Sequence, residues 1–119
     1  AVCGLQCGTP EDTANYTGIM QEFRTQLDAV RPGLLLTGAL PSGDDKYSHI
    51  QLNLIHPYMD YINLMTYDFH GTWENTTNLL APLYGVTGDT MPTYNTNYAV
   101  QGYIAAGFPA SKIVMGVPF

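Results

Sequence analysis
Three short apolar runs, each closed by a turn signal and separated from the next by a helical stretch, constrain this chain more than any other feature. They are residues 34–40 (Leu-Leu-Leu-Thr-Gly-Ala-Leu), 61–67 (Tyr-Ile-Asn-Leu-Met-Thr-Tyr) and 113–117 (Ile-Val-Met-Gly-Val). Runs this short and this apolar read as buried strands of a parallel sheet. Between them lie helical patterns. Thr9-Pro10-Glu11-Asp12 reads as a helix start, with Thr9 as N-cap, Pro10 in the first position and acids in the first turn. Tyr16, Ile19, Met20, Phe23, Leu27 and Val30 then recur as one apolar stripe until Pro32-Gly33 stops it. A second helix is expected over 46–56, with Tyr47, Ile50 and Leu54 on one side. A third is capped by Asn95, turns Ala99, Val100, Tyr103 and Ile104 inward, and ends at Gly107. Helices alternating with buried strands imply an α/β architecture with right-handed crossovers.

The middle run carries the chemistry. Side chains alternate along a strand, so Tyr61, Asn63, Met65 and Tyr67 share one face. That face is too polar for a simple apolar core and suits the inner mouth of a barrel. Asp68 follows at the strand's C-terminal end, where barrel enzymes place their working residues. A long loop, 69–94, then leaves that end and would overhang it.

Composition narrows the classes. The chain has 119 residues, 45% of them hydrophobic, a net charge of −6 and four Lys plus Arg. So few cations argue against nucleic acid. No apolar run approaches the ~20 residues of a membrane span, and Ala1-Val2-Cys3-Gly4 does not look like a signal peptide. A Cys3–Cys7 disulfide is the preferred expectation, with two free thiols as the alternative. A metal site is not expected, because His49, His56 and His70 are scattered, and no cofactor motif is present. Asn15-Tyr16-Thr17 and Asn75-Thr76-Thr77 match glycosylation sequons, which matter only in a eukaryotic secretory pathway.

Met65-Thr66-Tyr67-Asp68 matches the M-x-Y-D of the sixth barrel strand in family 18 glycoside hydrolases, the chitinases. The resemblance extends to Leu36-Thr37-Gly38-Ala39-Leu40-Pro41 as the fifth strand and to residues 112–119 as the seventh. Glu11 to Thr17, with Phe23-Arg24, resembles the helix after the fourth strand. It covers essentially the whole chain and implies part of a (β/α)8 TIM barrel, incomplete as given. A closed barrel takes roughly 250 residues, so the expectation is the middle third of one catalytic domain. Expressed alone, such a segment is expected to be poorly soluble or molten, because its sheet edges and apolar faces are open.

The resemblance also implies roles. The family's general acid is a Glu closing a D-x-x-D-x-D-x-E motif; nothing in this chain matches it, and it is expected upstream of Ala1. Tyr67 would hold the N-acetyl carbonyl of the sugar for attack on its own anomeric carbon, and Asp68 would accept hydrogen bonds from the amide or hydroxyls. Met65 would floor the site, Ala39 would line its wall, and Trp73, two residues past Gly71, would stack on a sugar. Each has a bland alternative: a packed Tyr, a turn-capping Asp, a core Trp, a Met filler. Glu74 reads as a solvated loop residue rather than a partner of Asp68 in acid–base work. The implied activity is cleavage of β-1,4 bonds between N-acetylglucosamine units of chitin or chitooligosaccharides, by a secreted enzyme expected to be a monomer when complete. A chitin-binding lectin on the same barrel, with the upstream Glu replaced, would retain Tyr67, Asp68 and Trp73 for binding. An endo-β-N-acetylglucosaminidase acting on glycoprotein glycans or peptidoglycan would be set apart by the long loop after Asp68. A different parallel-sheet enzyme has no phosphate-cradling, serine-nucleophile or metal motif to support it.

Overall fold
A computed structural model of the chain describes residues 7–119. Four α-helices and three strands follow in the order α1 (Asp12–Val30), β1 (Thr37–Pro41), α2 (Asp44–Tyr47), α3 (Leu52–Ile55), β2 (Tyr61–Met65), α4 (Thr96–Ala105) and β3 (Ile113–Met115), with a 3-10 turn at Ala110–Lys112. The strands are parallel and lie side by side in chain order, β1-β2-β3. A sheet that always steps the same way through right-handed crossovers must carry its helices on one face. It does: Leu40, Ile62 and Leu64 are buried against Met20 of α1, Leu52 and Ile55 of α3, and Ala99 and Tyr103 of α4.

The opposite face is open. Ala39, Asn63 and Val114 pair in register across it, and all are exposed. A sheet covered on one side only, and always wound in one direction, is a sector of a closing barrel. A doubly wound sheet would carry helices on both faces.

Local chemistry explains the element ends. The Asn95 side chain accepts a hydrogen bond from the Tyr98 backbone N–H at 2.9 Å and caps α4, as its sequence position foretells. Gly107 then turns the chain with φ +91°. Tyr103 reaches from α4 to the C-terminal end of β1, donating its hydroxyl to the Pro41 carbonyl at 2.7 Å.

Three expectations need correction. The first helix begins at Asp12 with Glu11 in the capping position, and Thr9 is not its cap. Its apolar stripe is not continuously buried: Met20 is in the core, whereas Ile19, Phe23 and Val30 stand exposed. The second helix is not one helix but two single turns. The break covers residues 48–51 and ends at Gln51, whose side chain accepts the Thr17 hydroxyl from α1 at 2.7 Å. The buried residues there are Leu52 and Ile55, while Leu54 is exposed. The expected Cys3–Cys7 bridge falls outside the described residues, because Cys3 does.

Candidate active site
Because the strands are parallel, Pro41, Met65 and Met115 end at one rim, and the segments that leave them meet there. Ser42 donates its hydroxyl to the Met65 carbonyl at 2.6 Å, tying β1 to β2. Thr66 donates its hydroxyl to the Gly116 carbonyl at 2.7 Å, and the Gly116 N–H donates to the Leu64 carbonyl at 2.9 Å, tying β2 to β3. Both ties sit directly beneath Tyr67 and Asp68.

Tyr67 is half-buried and Asp68 exposed. Asp68 adopts φ +55°, the left-handed region, and is the non-glycine residue that does so among those described. Such a conformation costs of order 1–3 kcal/mol and persists only where neighbours enforce it. Here the next two residues do. Phe69 and His70 are buried, the Phe69 N–H donates to the Leu80 carbonyl at 2.9 Å, and the Phe69 ring packs 6.0 Å from that of Tyr94. The twist at Asp68 drives the loop into the core and leaves the carboxylate facing out.

Two glycines shape the site, and one of them was not legible as such. A Cβ on Gly116 would lie 2.7 Å from Tyr67 Cε1 and 2.8 Å from the Leu64 carbonyl oxygen. Only glycine lets the Tyr67 ring rest on the end of β3. The signal was a glycine inside the expected strand run 113–117, with nothing to say which side chain needed the room; the strand in fact ends at Met115, just before it. A Cβ on Gly71 would lie 2.4 Å from the Trp73 ring, so the indole's six-membered ring rests against Gly71. Trp73 is 66% exposed, which removes its reading as a core residue.

The open face thus brings together Ala39 and Met65 on neighbouring strands, with Tyr67 and Asp68 just beyond the strand end. Glu74 corrects its expectation: it is not free in solvent but accepts from His70 Nδ1, with its two oxygens at 3.1 and 2.9 Å. Asp89 is a charged residue that sequence reasoning did not flag. Its carboxyl is held below the ordinary range, chiefly by the Met91 backbone N–H, with Asn78 and His70 adding to it. Across the loop, Tyr94 donates to Asp45, and burial and that carboxylate push its phenol up to about 12. A cavity of about 770 Å³ between the start of α1 and the end of β1 contains none of the expected site residues.

A one-sided parallel sheet with a polar, strained site at its C-terminal rim defines a sector of a (β/α)8 barrel. The model of the glycosyl hydrolases family 18 matches residues 5–119. Probable chitinase 10 of Drosophila melanogaster is 37% identical over 116 residues, 94% of this chain and 5% of its own length. Endochitinase 1 of Metarhizium anisopliae is 37% identical over 110 residues, 87% of this chain and 26% of its own. A mutant of catalytic domain 2 of the Ostrinia furnacalis Group II chitinase, crystallised with penta-N-acetylchitooctaose, superposes with a TM-score of 0.88 at 33% identity, over 94% of this chain and 29% of that one. The chain belongs to glycosyl hydrolase family 18, and it spans about a quarter or less of the length of these curated relatives.

Proposed function
We propose that the protein containing this chain is a secreted chitinase that cleaves β-1,4 bonds between N-acetylglucosamine units with retention of configuration. The observation that carries the reading is the arrangement after β2: a half-buried Tyr67 seated on Gly116, followed by an exposed Asp68 held at φ +55°. Tyr67 is a hydrogen-bond donor at neutral pH, which is what the oxygen of an N-acetyl carbonyl requires as it attacks the anomeric carbon. Asp68 accepts the amide N–H of the same group and keeps its oxygen turned toward the ring. The attack forms the bond from carbonyl oxygen to anomeric carbon and breaks the glycosidic bond. A glutamic acid from the family's fourth barrel strand, which this chain does not supply, protonates the leaving oxygen. The deprotonated glutamate then takes a proton from water, which attacks the anomeric carbon from the face the leaving group vacated and breaks the bond to the carbonyl oxygen, so configuration is retained. Met65 floors the reacting sugar, Ala39 lines the wall beside it, and Trp73 on Gly71 stacks on a neighbouring unit.

The test uses the complete enzyme and a soluble chitooligosaccharide, with the anomer of the fresh product read by proton NMR. Retained β product is expected, and Tyr67→Phe is expected to cut kcat by about 10²-fold with the fold intact, the usual cost of one lost transition-state donor. Inverted product, or unchanged turnover in Tyr67→Phe, would sink the mechanism. Tight oligosaccharide binding without turnover in the unsubstituted protein would assign a lectin instead.

A further inference from the structure
Trp73 belongs to a turn, Gly71 to Glu74, that contains no helix or strand and little apolar anchorage. An indole that stacks on sugar serves best when already ordered, because immobilising a side chain on binding costs about 0.5–1.5 kcal/mol. Within the turn, one backbone hydrogen bond, from the Glu74 N–H to the Gly71 carbonyl at 3.0 Å, is visible. The stronger constraint is His70. Its side chain is 1% exposed, and its Nδ1 bonds the Glu74 carboxylate at the far end of the same turn. On the other side, Nε2 is buried with no hydrogen-bond partner and points at Asp89 Oδ2, 3.5 Å away. The Asp89 side chain is 2% exposed and is itself fixed by Asn78 and by the Met91 N–H. The Tyr94 ring closes the imidazole's flank at 6.1 Å and is anchored in turn to Asp45.

We propose that His70 is a positioning residue for oligosaccharide binding: clamped between Glu74 and Asp89, it fixes the Gly71–Glu74 turn and so the direction of the Trp73 indole. The proposal rests on the reading of Trp73 as a sugar-stacking residue. The imidazole takes no part in bond breaking, because both of its nitrogens face loop carboxylates and almost none of it reaches solvent. Its effect belongs to substrates long enough to reach Trp73.

The test compares the complete enzyme with His70→Gln, Glu74→Ala, the pair combined, and Trp73→Ala, on the N,N′-diacetyl dimer and the hexamer of chitin. His70→Gln and Glu74→Ala are each expected to raise KM for the hexamer about fivefold, the order of one aromatic contact. The rise should be larger than for the dimer and larger than any fall in kcat. The combined variant should be no worse than either single one, since both break one clamp. Equal losses on both substrates, a loss confined to kcat, or additive losses would overturn the proposal. A hexamer KM that rises in Trp73→Ala but not in the other two rejects the clamp alone. An unchanged hexamer KM in Trp73→Ala rejects the stacking role itself. Should His70→Gln not fold, Asp89→Ala removes the other side of the clamp and is read the same way.

Discussion
Ile62 and Leu64 are sealed in a core shared with α3 and α4, whereas Leu79, Leu83, Tyr84 and Val86 in the long loop stand 46 to 64% exposed. Both regions are ordered, but by different forces. The sheet and its helices bury apolar area, which is non-directional and involves no titrating group. The loop over 69–94 is held by polar pairs: His70 to Glu74, Asn78 to Asp89, Tyr94 to Asp45 and Thr93 to Asp44. Phe69 and Tyr94 are where the two systems meet. The division suits the site proposed above. A rigid rim fixes Tyr67 and Asp68, while a rim loop built from hydrogen bonds can present Trp73 without adding an apolar core of its own.

If the scaffold is the apolar half of this division, its largest single loss should come from Leu64→Ala. The residue is fully buried at the centre of the sheet, and truncation there is expected to cost about 2–5 kcal/mol, read by denaturant unfolding of the complete enzyme. A cost under ~1 kcal/mol would mean that the sheet is not the stabilising unit. Gly116→Ala comes next, at about 1–3 kcal/mol. The added methyl meets the Leu64 carbonyl, which is backbone and cannot rotate away, as well as the Tyr67 ring. Turnover should fall together with stability, because the ring that gives way is the proposed donor. Full activity in Gly116→Ala would separate Tyr67 from its seat.

A pH test addresses the junction. Tyr94 keeps its proton in the folded state up to about 12, through burial and the Asp45 carboxylate, while an unfolded phenol loses it near the ordinary value of about 10. The unfolded state therefore binds fewer protons between those two values, and stability falls as pH rises through that window. Tyr103, Tyr16 and Tyr47 are also raised, mainly by burial, and contribute in the same direction. Tyr94→Phe should lose about 1 kcal/mol at neutral pH, with the hydrogen bond to Asp45, and should flatten part of the alkaline decline. Melting temperatures at about pH 9 and about pH 11 measure both. An alkaline slope unchanged by the substitution would place Tyr94 outside the folded junction.

Much of the scaffold was legible because it is locally encoded. The strands showed as apolar runs, Asn95 and Gly107 showed as cap and stop, and the alternation fixed a parallel sheet. The M-x-Y-D run and Trp73 were legible as a pattern. What escaped depends on partners distant in the chain. The break that ends at Gln51 is met by Thr17 from α1, and no helical pattern around Gln51 announces it. His70 and Glu74 are four positions apart, a helical spacing without a helix, so nothing local marks them as a pair; the turn at Asp68 places both at one loop base. Asp89 carried no signal at all: it reads as a turn acid after Gly88, and only the loop's return path brings it to the imidazole.

The smallest expected effect is the sharpest check on the division between scaffold and loop. Asn78 donates its side-chain amide to Asp89 at 3.0 Å on an exposed part of the loop, and its own oxygen accepts the Leu79 N–H. Asn78→Ala removes one clip while Asp89 keeps the Met91 N–H. A loop stabilised apart from the core should open locally, so global unfolding should move by no more than about 0.5 kcal/mol. Hydrogen exchange at the Phe69 amide, whose partner is the Leu80 carbonyl, should meanwhile quicken several-fold. A global loss above ~1 kcal/mol would show instead that the loop unfolds with the sheet as one cooperative unit, and that Phe69 and Tyr94 bind the two regions more tightly than the polar clips do.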